Sequence, residues 1–391
     1  LRSPKTGGGS GQRWLAALWA NTVLIQGITF VLRPTAIYRA IELDVPAPLL
    51  GALGASFALV PLVLAIPSGQ AADRFGERSV MIAGSIATLT AALGFLAIGD
   101  SVGGLLLGCV LLGTGHLGSV VAQQALVANR TPRNSYDRAF GRYTFAASAG
   151  QAVGPALILL FGGGNAIPHT STIFAWTSGL SVLLLATALA LPRTSSPPPS
   201  TGAGTGGMAT LLRRPGLALA LGISCVVLAA VDITLVYLPL LGTELGIASG
   251  MVGLLLSLRA AASMISRFYL GRLSARLGRG RLLTTSIVLS AAAMTVLPLG
   301  GPLPLLGVLI VLLGLGLGVG QPLTMSWLAE ATPPGLRGRA MSLRLTGNRL
   351  GQVVVPSLAG AVAAGAGAGG VLWFTAAALA VAAAGSRRIP S

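Results

Sequence analysis

The sequence predicts an all-α integral membrane protein of twelve transmembrane helices, arranged as two six-helix bundles related by a parallel repeat. Three observations predict it. Hydrophobic residues make up 53% of the 391-residue chain and charged residues only 9%, a balance with which a water-soluble chain could not cover its surface with polar groups. Of the 26 basic residues, all but Arg33, Arg39 and Arg259 fall in or beside every second connection between apolar runs. That alternation is the positive-inside pattern, and it places both termini and the charged loops on the cytoplasmic side of a cell inner (plasma) membrane. The third observation is a repeat. The charged stretch from Gly69 to Arg78 recurs from Gly271 to Arg279, with Gly69, Arg74 and Gly76 mapping to Gly271, Arg276 and Gly278 at a constant spacing of 202.

The elements follow in order. Residues 1–13 are Gly/Ser-rich and polar and predict a cytoplasmic tail. Residues 14–191 predict the first bundle, with spans near 14–39, 48–67, 79–98, 105–127, 138–161 and 171–191, each close to the roughly 20 apolar residues that cross a bilayer. Arg33-Pro34 predicts a kink in the first of them. Residues 192–213, rich in Pro, Gly, Ser and Thr, predict a cytoplasmic linker. The second bundle, 214–385, has spans near 217–240, 250–270, 282–299, 303–328, 339–362 and 370–384, and 386–391 form a short tail.

The repeat reaches beyond the charged loop. Glu42-Leu43 matches Glu244-Leu245 and Gly51 matches Gly253 at 202; Leu111 to Gly115 matches Leu312 to Gly316 at 201. Gly150-Gln151 and Pro155 match Gly351-Gln352 and Pro356, again at 201. Six spans separate equivalent points, so the two copies share one orientation in the membrane.

The stretch Gly69-Gln70-Ala71-Ala72-Asp73-Arg74-Phe75-Gly76-Glu77-Arg78 resembles the signature between the second and third helices of the major facilitator superfamily, with Glu77 as its departure. The resemblance implies a conformational latch at Gly69, Asp73, Arg74, Gly76 and Arg78. In the second copy Ala275 replaces the acid, and that stretch reads as a solvated basic turn. Gly141, Gly150, Gly154 and Pro155 resemble the antiporter motif of drug exporters, although Ile158 and Leu159 stand where that motif ends in Gly-Gly. A glycine face of this kind lets two membrane helices touch, and the proline bends the span. Drug exporters often carry an arginine four residues before the Gly113-Thr114-Gly115 equivalent; here Cys109 occupies that place.

Gly113-Thr114-Gly115-His116-Leu117-Gly118 is formally a dinucleotide fingerprint, but it has no preceding strand and lies inside a span, so no cofactor is expected. Cys109 and Cys225 both lie in apolar runs, where they act as small hydrophobes; neither a disulfide nor a metal site is expected. Ionisable groups at membrane depth are costly and need a reason. Asp232 is the one acid inside an apolar run, and His116 is the second group there able to titrate near neutrality. At the 202 spacing Asp232 maps to Phe30, so Arg33 lies three residues on, about 4.5 Å along the axis on nearly the same face. That placement predicts an Arg33–Asp232 pair across the two bundles near the outer end of the hydrocarbon layer, serving proton coupling or an outer gate. Gln26, Gln123, Gln124, Gln151, Gln321 and Gln352 are intramembrane polar groups expected to line a cavity.

These features imply a secondary active transporter working by alternating access, with proton-coupled efflux of a small amphipathic compound as the first reading. A facilitator-type importer of a small metabolite is the alternative, and a non-transporting sensor or lipid-moving protein the alternative from another class. No set of nucleophile, base and oxyanion donors marks an enzyme. The net charge of +17 is spread over loops rather than gathered on one face, which excludes nucleic acid. The expected partners are a small-molecule substrate, protons and membrane lipids, with the chain a monomer.

Overall fold

The computed structural model describes residues 8–130, 136–192, 217–331 and 337–387. The first group of helices is α1 (Gly8–Glu42), α2 (Ala47–Phe75), α3 (Glu77–Ile98), α4 (Val102–Arg130), α5 (Tyr136–Val153), α6 (Ala156–Gly162) and α7 (Thr170–Leu189). The second is α8 (Leu217–Glu244), α9 (Ser249–Phe268), α10 (Leu270–Leu277), α11 (Arg279–Val296), α12 (Leu303–Ala331) and α13 (Arg337–Ser386). Among the described residues eleven helices are long and apolar enough to cross a bilayer. The limb 337–366, where the span 339–362 is expected, is not among them; it carries Asn348, Arg349 and Gln352. Residues 1–7, the linker from 193 onward and the tail beyond 387 lie outside the described residues.

Exposed and buried surfaces are those of a chain dissolved in lipid. Val63, Leu160 and Val381 lie on the outside of the bundle, whereas the interior holds Asn21, Thr22, Gln123, Asp232 and Arg259. Buried hydroxyls return their protons to carbonyls one turn back, as in Thr22 to Leu18, Thr35 to Val31 and Thr234 to Ala230. These hydroxyls are thus satisfied within their own helix where lipid offers no partner.

The turns recur with the sequence repeat. Gly76 (φ 84°, ψ 149°) ends α2 and opens α3, its N–H donating to Ala72 O at 3.0 Å. Gly278 (φ 76°, ψ 148°) does the same between α10 and α11, its N–H donating to Ser274 O at 3.0 Å. Positive φ at these two positions is where glycine is needed. Asp44 (φ 53°) and Gly246 (φ 67°) form a matching pair at the opposite end.

Three elements differ from expectation. The fifth span is broken into α5 and α6 at Gly154-Pro155, since proline cannot donate to the preceding turn. The second charged stretch is not a loose turn but the helix α10, which has no buried residue. The last two expected spans join as α13, interrupted only at Gly367 (φ 60°, ψ −162°).

Glutamates at the rim opposite the charged loops join the first and last helices of each group. Glu42 accepts from Arg39 Nη1 at 3.0 Å and from Thr170 Oγ1, the first residue of α7, at 3.2 Å. Glu244, its counterpart at 202, accepts from the backbone N–H of Ala368 at 3.0 Å, just past the Gly367 break. Arg39 is also 3.6 Å from Asp100 and donates to Ser171, which accounts for an arginine off the alternating pattern.

Candidate functional site

The two groups meet along glycine seams at the helix ends opposite the charged loops. A Cβ on Gly51 of α2 would lie 2.4 Å from Pro356 O and 2.8 Å from Gly360 Cα of α13. On the other side, a Cβ on Gly253 of α9 would lie 2.8 Å from Pro155 O and from Leu159 N, and one on Gly162 would lie 2.7 Å from Gly250 N. Ser249 completes the seal by donating both its N–H (2.7 Å) and its hydroxyl (2.8 Å) to Asn165 O. Backbones touch here with no side chains between them.

Beneath the seams lies a buried charged cluster. Arg33 of α1 pairs directly with Asp232 of α8 through Nη1 and Oδ1. The second oxygen of Asp232 accepts from Gln352 Nε2 of α13 at 2.6 Å, and Gln352 Oε1 accepts from Arg349 Nη1 at 2.8 Å. The Arg33 guanidinium also lies 4.3 Å from the centroid of the Phe57 ring, a cation–π contact strengthened by desolvation. His116 of α4 packs against the far side of this arrangement, its ring 5.6 Å from that of Phe57, with both nitrogens buried and unpartnered among the described residues. Arg259 of α9, only 2% exposed, lies within Coulombic reach of Asp232, Arg33 and Arg267.

The depth of the cluster corrects the sequence expectation. Arg33 lies nine residues before the end of α1, Asp232 twelve before the end of α8 and Arg259 ten after the start of α9. At 1.5 Å per residue they sit about 13–18 Å from the helix ends at the seams, near the middle of a core about 30 Å thick rather than at one edge of it. Helix α1 has 35 residues, longer than a span, so counting inward from its N-terminal end overshoots.

The other sequence candidates divide. Gln352 belongs to the cluster, whereas Gln123 is fully buried among helices of the first group, donating to Asn21 Oδ1 (2.8 Å) and accepting from Tyr143 (3.3 Å). Gln151 donates to Gln26 Oε1 at 3.1 Å, joining α5 to α1; Gln124 and Gln321 are half-buried. Gly150 and Gly154 hold α5 against α1, since a Cβ on either would lie 2.3 Å from a carbonyl oxygen of Val23 or Gly27. Pro155 presents its carbonyl to Gly253 in the seam, and the surroundings of Gly141 lie outside the described residues.

In the loop, Gly69 has open space around it and Arg74 is exposed, its guanidinium 5.2 Å from the Phe75 ring centroid. Arg78 donates to Leu189 O at 2.8 Å, and Glu77 accepts from Asn129 at 2.6 Å. Both bonds stay inside the first group of helices. The side chain of Asp73 lies outside the described residues.

Three site residues escape the sequence reading. Arg349 counts by spacing as a loop cation, yet is buried twelve residues into α13. Arg267 donates from α9 to Ser148 Oγ of α5 at 2.8 Å, a bond between the two groups. Arg259 is off the alternating pattern, which is the signal that could have found it. The cluster places buried charge where the groups meet, and among the described residues no three His, Cys, Asp or Glu side chains converge on a metal site. A groove of about 560 Å³ between α11 and the 368–386 limb, lined by Val288, Thr295 and Trp373 among others, lies apart from these charges.

A model of the Major Facilitator Superfamily matches residues 18–242 and 220–389 of this chain. The multi-drug resistance efflux pump PmrA homolog of Lactococcus lactis subsp. lactis (strain IL1403) is 26% identical over 310 residues, 75% of this chain and 73% of that protein. Among solved structures, the nucleoside transporter NupG in a mutant form superposes with a TM-score of 0.79 at 13% identity, covering 96% of this chain and all of that one. The D-xylose-proton symporter superposes with a TM-score of 0.77 at 15% identity, covering 96% of this chain and 98% of that one.

Proposed function

The chain belongs to the major facilitator superfamily, a family of transporters and not of enzymes, and from that premise we propose that it is a proton-coupled secondary transporter working by alternating access. The observation that carries the proposal is the buried Arg33–Asp232 bridge between the two groups of helices. A proton on Asp232 removes the charge that Arg33 pairs with, so proton binding acts on the contact that helps keep the outer ends together. The groups facing Asp232 are Arg33 from α1, Gln352 and Arg349 from α13, and Arg259 from α9. In this proposal the chain forms two six-helix halves joined by the linker 192–213, both termini face the cytoplasm, and lipid wets the exposed apolar faces. His116 shapes the gate through Phe57 rather than through Asp232.

Two directions of transport have support. Efflux of an amphipathic compound is favoured by the likeness to the lactococcal pump over three quarters of the chain and by the glycine face at Gly150 and Gly154. Proton-driven uptake is favoured by the charge balance, since the arginines around Asp232 outnumber it and a proton there would load together with an anion.

The test is a substrate screen on the full chain in proteoliposomes containing a pH-sensitive dye. Sugars, nucleosides, carboxylates and lipophilic cations are added outside in turn. The wild type is expected to move protons in response to one class, inward with the compound for uptake or against it for efflux. Asp232→Asn is expected to carry no substrate-linked proton flux. Proton flux unchanged in Asp232→Asn, or absent with every class, defeats the proposal.

The latch gives a second expectation. If Asp73 holds the cytoplasmic ends together in the opposite conformation, Asp73→Asn keeps expression near wild type, slows transport and raises labelling of central cysteines from the cytoplasmic side. Wild-type transport and labelling would leave only a solvated turn.

A further inference from the structure

We propose that Arg259, assisted by Arg349, forms an anion-binding subsite that receives a carboxylate, sulfonate or phosphate group of the substrate. Three arginines, Arg33, Arg259 and Arg349, are each at least nine-tenths buried around the single carboxylate of Asp232. Arginine keeps its proton in proteins, so these charges cannot be relieved by neutralisation. Asp232 is committed to Arg33 and Gln352, and among the described residues Arg349 hydrogen-bonds the neutral Gln352 and only faces Asp232 without pairing to it. For Arg259, Nε and Nη2 have no hydrogen-bond partner among the described residues. Those two nitrogens form one edge of the guanidinium fork, the edge that binds an oxyanion in a bidentate manner.

The placement of Arg259 adds to the argument. Gly314 of α12 packs against Arg259 O as Gly113 of α4 packs against Phe57 O, and the two contacted residues are 202 apart. Phe57 turns its ring to the central cluster, under Arg33 and beside His116. Arg259 springs from the equivalent point of the other group, close to the same carboxylate. A buried cation with an unused donor edge at a site between helix bundles is a binding element whose counter-charge comes with the ligand.

The proposal rests on the transporter reading and turns it away from lipophilic cations. It is tested by binding to the purified full-length protein in detergent, with no gradient, using 2-naphthalenesulfonate and 2-naphthoate as anions, 2-naphthol as the neutral probe and 2-naphthyltrimethylammonium as the cation. The wild type is expected to bind the anions about tenfold or more tighter than the other two, and Arg259→Met to lose that preference. Arg259→Lys keeps the charge without the fork and is expected to fall between them. Without ligand, Arg259→Met is expected to melt at a higher temperature than wild type, because an uncompensated buried charge is gone; a merely structural arginine would lower it. Anion binding as in wild type by both variants, failure of either anion to bind, or equal binding of the cation overturns the proposal. So does displacement of the anions by chloride at equal concentration, which would mark a structural counter-ion. A flux assay that fails while Arg259-dependent anion binding persists defeats the transport reading alone, and coupled flux without anion preference defeats this one alone.

Discussion

Arg33→Asp and Asp232→Arg are each expected to abolish pH-dependent transport, and the double exchange to restore part of it. Removing one partner of a buried ion pair costs about 3–5 kcal/mol because the other charge is left uncompensated. The two single variants are not equivalent. Asp232→Arg leaves its new guanidinium among Arg33, Arg259 and Arg349 with no carboxylate of the cluster remaining. Arg33→Asp leaves two carboxylates facing Arg259 and Arg349, a balanced set. The first variant is therefore expected to express poorly and the second to fold while losing the bridge. In the double variant the exchanged aspartate and arginine re-form the bridge with its polarity reversed, but Gln352 Nε2 loses its acceptor, so recovery is partial. Transport across a series of external pH values in proteoliposomes checks this, and a double variant no better than Arg33→Asp removes the gate from consideration.

The second large effect is expected at the seams. Gly51→Leu and Gly253→Leu each place a side chain where even a Cβ would come within 2.8 Å of backbone atoms of the opposite group. Overpacking a tight site costs about 1–3 kcal/mol, which shifts a two-state balance by about 5- to 150-fold. The strain falls on the contact between the groups and not on either helix, where leucine is a better helix former than glycine. Both variants are thus expected to stay folded while their outer ends part. Val236, buried beside Gly54 in the same seam, supplies the reporter. In a background with Cys109 and Cys225 replaced by serine, Val236→Cys is expected to react with a membrane-impermeant thiol reagent from outside only when a wedge is present. A folded double variant whose cysteine stays protected at both wedge sites would show that the seams are not the outer closure.

The turns of this fold are legible in the sequence because their cause is local. A positive φ needs glycine, and Gly76 and Gly278 occur at one spacing with one hydrogen-bond pattern. The approach of Arg33 to Asp232 is legible because the spacing and helical period place both on matching faces of α1 and α8. Other parts of the site are not local. Gln352 reaches Asp232 from α13, and nothing near either residue in the chain signals the meeting. Arg349 has the spacing of a loop cation, and its burial depends on how α13 is packed; Arg259 stands out by position but not by partner. Depth is misjudged for a related reason, since α1 and α2 run to 35 and 29 residues, and a sequence window cannot tell how much of a helix protrudes.

The glutamates at the rim have a mechanical consequence. Glu42 fastens α1 to α7, and Glu244 fastens α8 to the limb that follows Gly367, so within each half the first and last helices are riveted together. In the proposed alternating-access cycle such ties would let each half turn as one lever rather than as a sheaf of sliding rods. The seams lie at one end of that lever and the charged loops at the other, with Arg33 and Asp232 between them, close to a fulcrum. Under that proposal a change of charge near the fulcrum would need little displacement to tip both ends, and the rivets would carry the tilt through each half.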